Sequence, residues 1–494
     1  MITLIKKGIG VIITVIIMLL LSCTAALAAD ADILASGNCG YNGDAVTFTL
    51  TSDGILTVSG TGYMNSYTSY SSAPWYSNKD SIKEIVIEDG INNVSYQGFV
   101  NCKYLTKVTL ASSVKNLEWY SFYGCSLLTD INCENVEYIG DGAFAYCDVL
   151  DNIDLSKTTQ ICKNAFAYCL GLKNITLAEG LETIGETAFY RCDTLESINI
   201  PSTVTSIGLG AFGYCYILDN VKLPYGITDI SDRTFFGCSA LSNIEIPETV
   251  KTMGLGAFAY CQNMKSIDLP KELTTIGQQA FYKCTGLESI EIPQSVNTIS
   301  LGAFGYCSSL KRVVIPDNVT VINDNTFFGC TSLQSVEIPK NITSIGSNVF
   351  LNCDNLSCVY VYENSYADTF IAENNSSIQR KYITEDNSVA INDFDTENNT
   401  FTVVIDTDKL GGNPEYAEYL EEVNVIVNDE SKNITNYRYT DESQQYIAFD
   451  VQYINTSNDG NIALRGEAVT MDSEESSIFK YYVTSVLNIG MGGN

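Results

Sequence analysis

The chain has 494 residues, 45% of them apolar, an ordinary fraction for folded protein and a length that allows several domains. Its 58 acidic residues outnumber 27 basic ones, for a formal charge of −31. That balance disfavours nucleic acid and anionic lipid surfaces as partners and leaves neutral glycans, basic protein patches and cations.

In chain order, the first feature is an export signal. Lys6 and Lys7 form a short positive region, Gly8 to Leu21 is an apolar run, and Ala26-Leu27-Ala28 suits signal peptidase. Residues 1–28 are therefore expected to be removed before Ala29, leaving a secreted or surface protein. The rival reading lipidates Cys23, but Leu21 suits that poorly. The run is too short for a convincing membrane span, and no transmembrane helix is expected in the mature chain. Residues 29–84 alternate short strand-like runs with Gly and Ser turns, which predicts a β-rich N-terminal cap.

A repeat follows. Cysteine recurs at 102, 125, 147, 169, 192, 215, 238, 261, 284, 307, 330 and 353, at intervals of 22 or 23 residues. Each copy has Phe three residues before the Cys and Leu or Met three after it. An alternating strand such as Ile244-Glu245-Ile246 comes next, often closed by Pro, as at Pro247. Twelve such copies predict a solenoid whose stacked rungs share one core. Phe, Cys and Leu at i, i+3 and i+6 suggest one face of a short helical turn. At ~5 Å per rung the array spans about 60 Å.

The unit Ile207-Gly208-x-x-Ala211-Phe212-x-x-Cys215-x-x-Leu218-x-x-Val221-x-Leu223-Pro224 resembles the BspA-like, treponemal-type leucine-rich repeat. Ser36-Gly37-Asn38-Cys39-Gly40, Gly54 to Gly62 and Ala73-Pro74-Trp75-Tyr76 resemble the β-rich cap that precedes such arrays. The resemblance implies a surface or secreted protein, often an adhesin, and supplies no catalytic residues. Cys133 and Cys162 depart from the repeat pattern. The fold expected is thus a leucine-rich-repeat solenoid over residues 85–381 with a C-terminal cap, in which Ser365 to Asn374 forms a short helix. Residues 382–494 carry 21 acidic and 5 basic residues. Their alternating runs predict a β-sandwich, immunoglobulin-like in type.

No histidine is present, which removes Ser–His–Asp and Cys–His catalysis and His-ligated zinc. Carboxylate pairs suit glycosidases, yet the acids here fall on repeated positions and no insertion breaks the repeat. No catalytic residue, metal site or cofactor is therefore expected. The twelve repeat cysteines are expected as buried free thiols, because parallel Cβ vectors one rung apart leave about 5 Å where a disulfide needs about 3.8 Å. Bridged neighbours and thiolate metal sites are the rivals.

Two rows are candidate ligand-binding surfaces. Seven residues after each Cys lie Lys222, Glu245, Asp268, Glu291, Val314 and Glu337, a groove for basic peptide or Ca²⁺, or else a solvated polar face. Between Phe and Cys, one of two positions is aromatic from Tyr123 to Phe328, including Tyr214, Tyr260 and Tyr306. Such a row either shields the turn or holds sugar rings or another protein. The function expected is a non-enzymatic adhesin for extracellular protein or glycan. A structural spacer is the alternative, and an extracellular glycan-acting enzyme is the third reading.

Overall fold

The computed structural model describes residues 32–385. Beyond them it describes the strands Val389–Asp395, Thr400–Asp406, Leu420–Val427, Glu430–Ile434, Arg438–Tyr439, Tyr446–Gln452, Ile462–Met471 and Ser476–Ser485. The expected signal peptide, its cleavage point and Cys23 lie outside the described residues. The chain divides into two units, Met1–Met264 and Lys265–Asn494.

In the first unit, Ile33–Asn38, Ala45–Thr51 and Ile55–Thr61 pair antiparallel. The third then pairs in parallel with Glu84–Ile87, which pairs with Lys107–Leu110. Alternate residues of Ala45–Thr51, Glu84–Ile87 and Lys107–Leu110 are buried, as the period of two requires, while Ile33–Asn38 at the edge buries none. The rungs share one path, although residues 266–268 and 289–291 form no main strand. A main strand, such as Asn220–Lys222, pairs in register with Asn243–Glu245 of the next rung. A turn then begins at Pro, with Val250 N–H donating to the Pro247 carbonyl at 3.0 Å. A two-residue strand follows, such as Gln160–Ile161 beside Thr183–Ile184.

The third side of the rung is not the expected helical turn. Two residues per rung, five and one before each Cys, have positive φ; on the sixth rung they are Gly210 at 60° and Tyr214 at 60°. They split the segment into consecutive turns closed by Gly213 N–H to Gly210 and Cys215 N–H to Phe212. Gly210, Phe212 and Tyr214 N–H instead donate to the next rung, at Asp232, Thr234 and Phe236. A helical turn would keep these donors inside the rung. Stacking requires them across it, so the chain twists alternately.

The core of this unit is a row of phenylalanines. Seven consecutive pairs from Phe99 to Phe258 stack at 5.2–5.7 Å with ring planes within 14°. Trp75 stacks on Phe99 at 5.0 Å, is 1% exposed, and donates its indole N–H to the Gly98 carbonyl at 2.8 Å.

The second unit continues the same rung, with Phe281, Phe304, Phe327 and Phe350 stacked. The helix Tyr366–Asn374 forms where expected; Ser365 caps it by accepting from Asp368 N–H at 3.1 Å. Asp368 is held by Arg380 at 2.7 Å. Arg312–Val314, Ser335–Glu337 and Cys358–Tyr362 form parallel main strands. The next strand, Gln379–Glu385, runs across the expected boundary at 382 and pairs with Cys358–Tyr362. Composition shifts there, but the open edge of the sheet still needs a partner. Ser476–Ser485, Ile462–Met471, Leu420–Val427 and Glu430–Ile434 extend the same sheet. Val389–Asp395, Thr400–Asp406, Tyr446–Gln452 and Arg438–Tyr439 form a separate one.

Candidate binding surface

The aromatic row is built by the turn before each Cys. Of the two residues between Phe and Cys, the second has positive φ, as at Tyr146, Tyr168, Tyr214 and Gly237. A ring from either position reaches the same surface and meets the ring of the neighbouring rung. In the first unit Tyr123, Tyr146, Tyr168, Tyr190, Tyr214, Phe236 and Tyr260 run in sequence with centroids 4.6–5.5 Å apart. Three of the six contacts are edge-on, two are tilted, and Tyr146 stacks flat on Tyr168. In the second unit Tyr282, Tyr306 and Phe328 do the same. The rings are half-buried, with Tyr146 and Tyr306 more exposed.

The pairing of ring with small residue has a steric cause. A Cβ on Gly237 would stand 2.8 Å from the Tyr214 ring, and one on Gly213 would stand 3.1 Å from the Tyr190 ring. The Tyr190 and Tyr214 rings each overlie one position of the next rung, and the next ring, Tyr214 or Phe236, stands at the other.

The cysteines lie beneath this row. All repeat cysteines are buried except Cys353, which is intermediate, and the thiols are free. They do more than fill space. Cys125, Cys169, Cys215 and Cys238 each donate S–H at 3.1 Å to the Phe carbonyl of the preceding rung. In the second unit Cys307, Cys330 and Cys353 do likewise. Burial pushes the Cys102 and Cys215 thiols up from 9.0 to about 12. A buried thiol kept protonated is a poor nucleophile and a poor metal ligand. Among the described residues no group of three His, Cys, Asp or Glu is placed to hold a metal.

The acidic row is less uniform than its spacing suggests. Glu245 is exposed and ion-paired with Lys222 at 2.8 Å, one rung away. Asp268 and Glu291, in the second unit, are exposed, but their segments do not join the main-strand ladder. Glu337, expected on the solvent side, is 1% exposed, with Arg312 at 3.5 Å. Its backbone pairs with Val314 on one side and Tyr360 on the other. Elsewhere too, carboxylates meet lysines one rung away, as in Lys163–Glu186 and Lys311–Glu288. Lysines so placed compete with any Ca²⁺ for the same oxygens.

The family model for the BspA type leucine rich repeat region matches in six copies over residues 72–194, 159–286 and 251–379. This chain belongs to the BspA-type leucine-rich-repeat family. No curated protein matches it. Three solved structures are similar to this BspA-type chain. A leucine-rich cell surface protein from Faecalibacterium prausnitzii is 24% identical over 70% of this chain and 98% of that one, with a TM-score of 0.40. A leucine-rich repeat protein from Bacteroides ovatus is 23% identical over 70% and 100%, with a TM-score of 0.40. A leucine-rich repeat protein from T. pallidum is 27% identical over 45% and 89%, with a TM-score of 0.29.

Within this BspA-type chain, three features escape sequence reasoning. Trp75 sits in the stack of phenylalanines although no repeat spacing reaches it. The thiol-to-carbonyl bond leaves no trace in composition. Arg191 lies 6.0 Å from the Tyr168 ring centroid and 5.3 Å from that of Tyr216, a pairing of residues 23 and 25 apart. Among the described residues no helix is long and apolar enough to cross a membrane.

Proposed function

We propose that this BspA-type protein is a secreted or cell-surface binding protein, an adhesin that engages extracellular protein or glycan through its aromatic row. The observation that carries this reading is the run of seven rings from Tyr123 to Tyr260, six half-buried and Tyr146 exposed, each touching the next. Tyrosine contributes large contact area at low entropic cost, and tyrosine-rich faces are common where proteins bind. Family membership supports a binding role and lends nothing to catalysis. Export by residues 1–28 is part of the same proposal. In the tail, the strand order Val389–Asp395, Thr400–Asp406, Tyr446–Gln452, Arg438–Tyr439 in one sheet supports an immunoglobulin-like module, as does Ser476–Ser485, Ile462–Met471, Leu420–Val427, Glu430–Ile434 in the other.

The acidic row ranks second as a contact face, because Glu245 already has a lysine partner and Glu337 is buried. A structural spacer is the remaining alternative.

The test is binding of the full chain to arrays of glycans and extracellular-matrix proteins, with calcium and with chelator. Saturable binding to one class, unchanged by chelator, is the expected result. Silence on every surface overturns the binding reading in favour of the spacer. Binding abolished by chelator, and weakened by changing Asp268 and Glu291, moves the site to the acidic row.

A further inference from the structure

Where the fifth and sixth rungs meet, a polar fork stands inside the aromatic row. Arg191 precedes Cys192 and Asp193 follows it. The Arg191 Nε donates to Asp193 Oδ1 and its Nη2 to Oδ2, both at 3.0 Å. The guanidinium lies 6.0 Å from the Tyr168 ring centroid and 5.3 Å from that of Tyr216. Tyr216 in turn meets Tyr214 edge-on at 5.9 Å. These groups stay open to solvent: the Arg191 and Asp193 side chains are 34% and 26% exposed, and Tyr216 is 37% exposed. A guanidinium tied at two nitrogens and set against two rings keeps one orientation, so little is left to order when a ligand arrives.

The fold does not require this fork, because the ninth and tenth rungs keep the rings without it. There Tyr282 and Tyr306 stand where Tyr190 and Tyr214 do, and meet edge-on at 5.4 Å against 5.5 Å for the earlier pair. A cation is kept as well, with Lys283 Nζ 5.5 and 5.6 Å from those two ring centroids. Thr285, however, takes the place of Asp193, and Ser308 that of Tyr216. The core beneath is the same, with Phe281 stacked on Phe304 at 5.5 Å as Phe189 is on Phe212. Packing therefore accounts for the row of rings, but not for the fork or for the added tyrosine.

The fork has the chemistry to hold a polyol. Arg191 and Asp193 cancel in charge, and a charged side chain from a partner would have to displace one of them. A hydroxyl need not. It can donate to a remaining lone pair of Asp193 and accept from Arg191 Nη1, which makes no hydrogen bond among the described residues. Two adjacent hydroxyls of one pyranose match an acceptor and a donor held side by side, and the C–H groups of the same ring suit the exposed part of Tyr216. The chain's charge of −31 disfavours acidic sugars.

We propose that Arg191, Asp193 and Tyr216 form a subsite for a neutral hexopyranose of an extracellular glycan. This rests on the binding reading above, and names glycan as the partner and the junction of the fifth and sixth rungs as its centre.

The test follows the mobility of the full chain in native gels cast with galactan, mannan, β-glucan or α-glucan over a range of concentrations. Polygalacturonate is the acidic control. At least one neutral polysaccharide is expected to retard the chain, and polygalacturonate is not. Arg191→Lys, Asp193→Thr and Tyr216→Ser together install the residues that the ninth and tenth rungs already pack. That variant is expected to melt cooperatively and to raise the apparent dissociation constant by at least about tenfold. Asp193→Asn alone, which keeps the shape and removes the anion, is expected to weaken retardation too, and decides the matter if the triple variant misfolds. Retardation unchanged in the folded variants overturns the site, and stronger retardation by polygalacturonate overturns the neutral class. A chain that no polysaccharide retards, but that holds a matrix protein on the arrays, fails this inference alone. A chain that binds neither fails the binding reading with it.

Discussion

Cys215 meets two demands at once. It must be small enough to lie buried beneath the ring row, and it must present a donor to the Phe189 carbonyl at 3.1 Å. That carbonyl already accepts from Cys192 N–H, so the thiol satisfies its second lone pair. Repetition of the residue was plain in the sequence, and so was its burial. The bond was not, because its partner lies 26 residues away and belongs to the backbone. If donation matters, Cys215→Ser is expected to cost about 1 kcal/mol and Cys215→Ala about 2 kcal/mol. If the thiol were only an apolar filler, the order would reverse, since serine would then bury a hydroxyl for nothing. Urea denaturation of the two variants decides between them. The compensation between ring and small residue was also legible at this scale, but its cause needed coordinates. Gly237, at φ 77°, faces the Tyr214 ring of the rung before it.

At the scale of the element, the rung strands and the terminal helix follow directly from pattern. Ile, Asn and Ile alternate at 198–200 because one face is buried, and Ser365 announces the helix that it caps. The turn between them was read as helical because Phe, Cys and Leu recur every three residues. Periodicity of three describes consecutive turns equally well, and only the positive φ at Tyr214 and its equivalents separates the two. Glu337 was misplaced for a related reason. Its spacing in the sequence matches that of Glu245, but spacing does not show that its side chain is buried with Arg312 at 3.5 Å. The element that starts the phenylalanine row is Trp75, stacked on Phe99 and touching Phe48 edge-on. Trp75→Ala is expected to destabilise the protein by about 3–5 kcal/mol. Hydrogen exchange should quicken most in the rungs of Cys102 and Cys125; uniform exchange along the unit would deny the tryptophan a local role.

Over the whole molecule, the thiols act together. Burial raises Cys102 and Cys215 to about 12 and Cys353 to about 11. Above pH 9 the unfolded chain therefore loses protons that the folded chain keeps, and stability falls as pH rises. Each such thiol contributes a slope of up to about 1.4 kcal/mol per pH unit between its unfolded and folded pKa. Melting temperature with reductant is expected to hold steady below pH 9 and to drop steeply towards pH 11; a level profile would contradict the burial of protonated thiols. Function is the part least legible in the sequence, since a row of rings reads alike whether it packs or binds. The measurement that separates these is the Tyr214→Ala, Tyr260→Ala, Tyr306→Ala variant, tested for melting temperature and for affinity towards the ligand that the arrays identify. The account predicts an affinity loss of at least about tenfold with the variant still folded. Unchanged affinity with a lowered melting temperature would contradict it and leave the rings as packing alone.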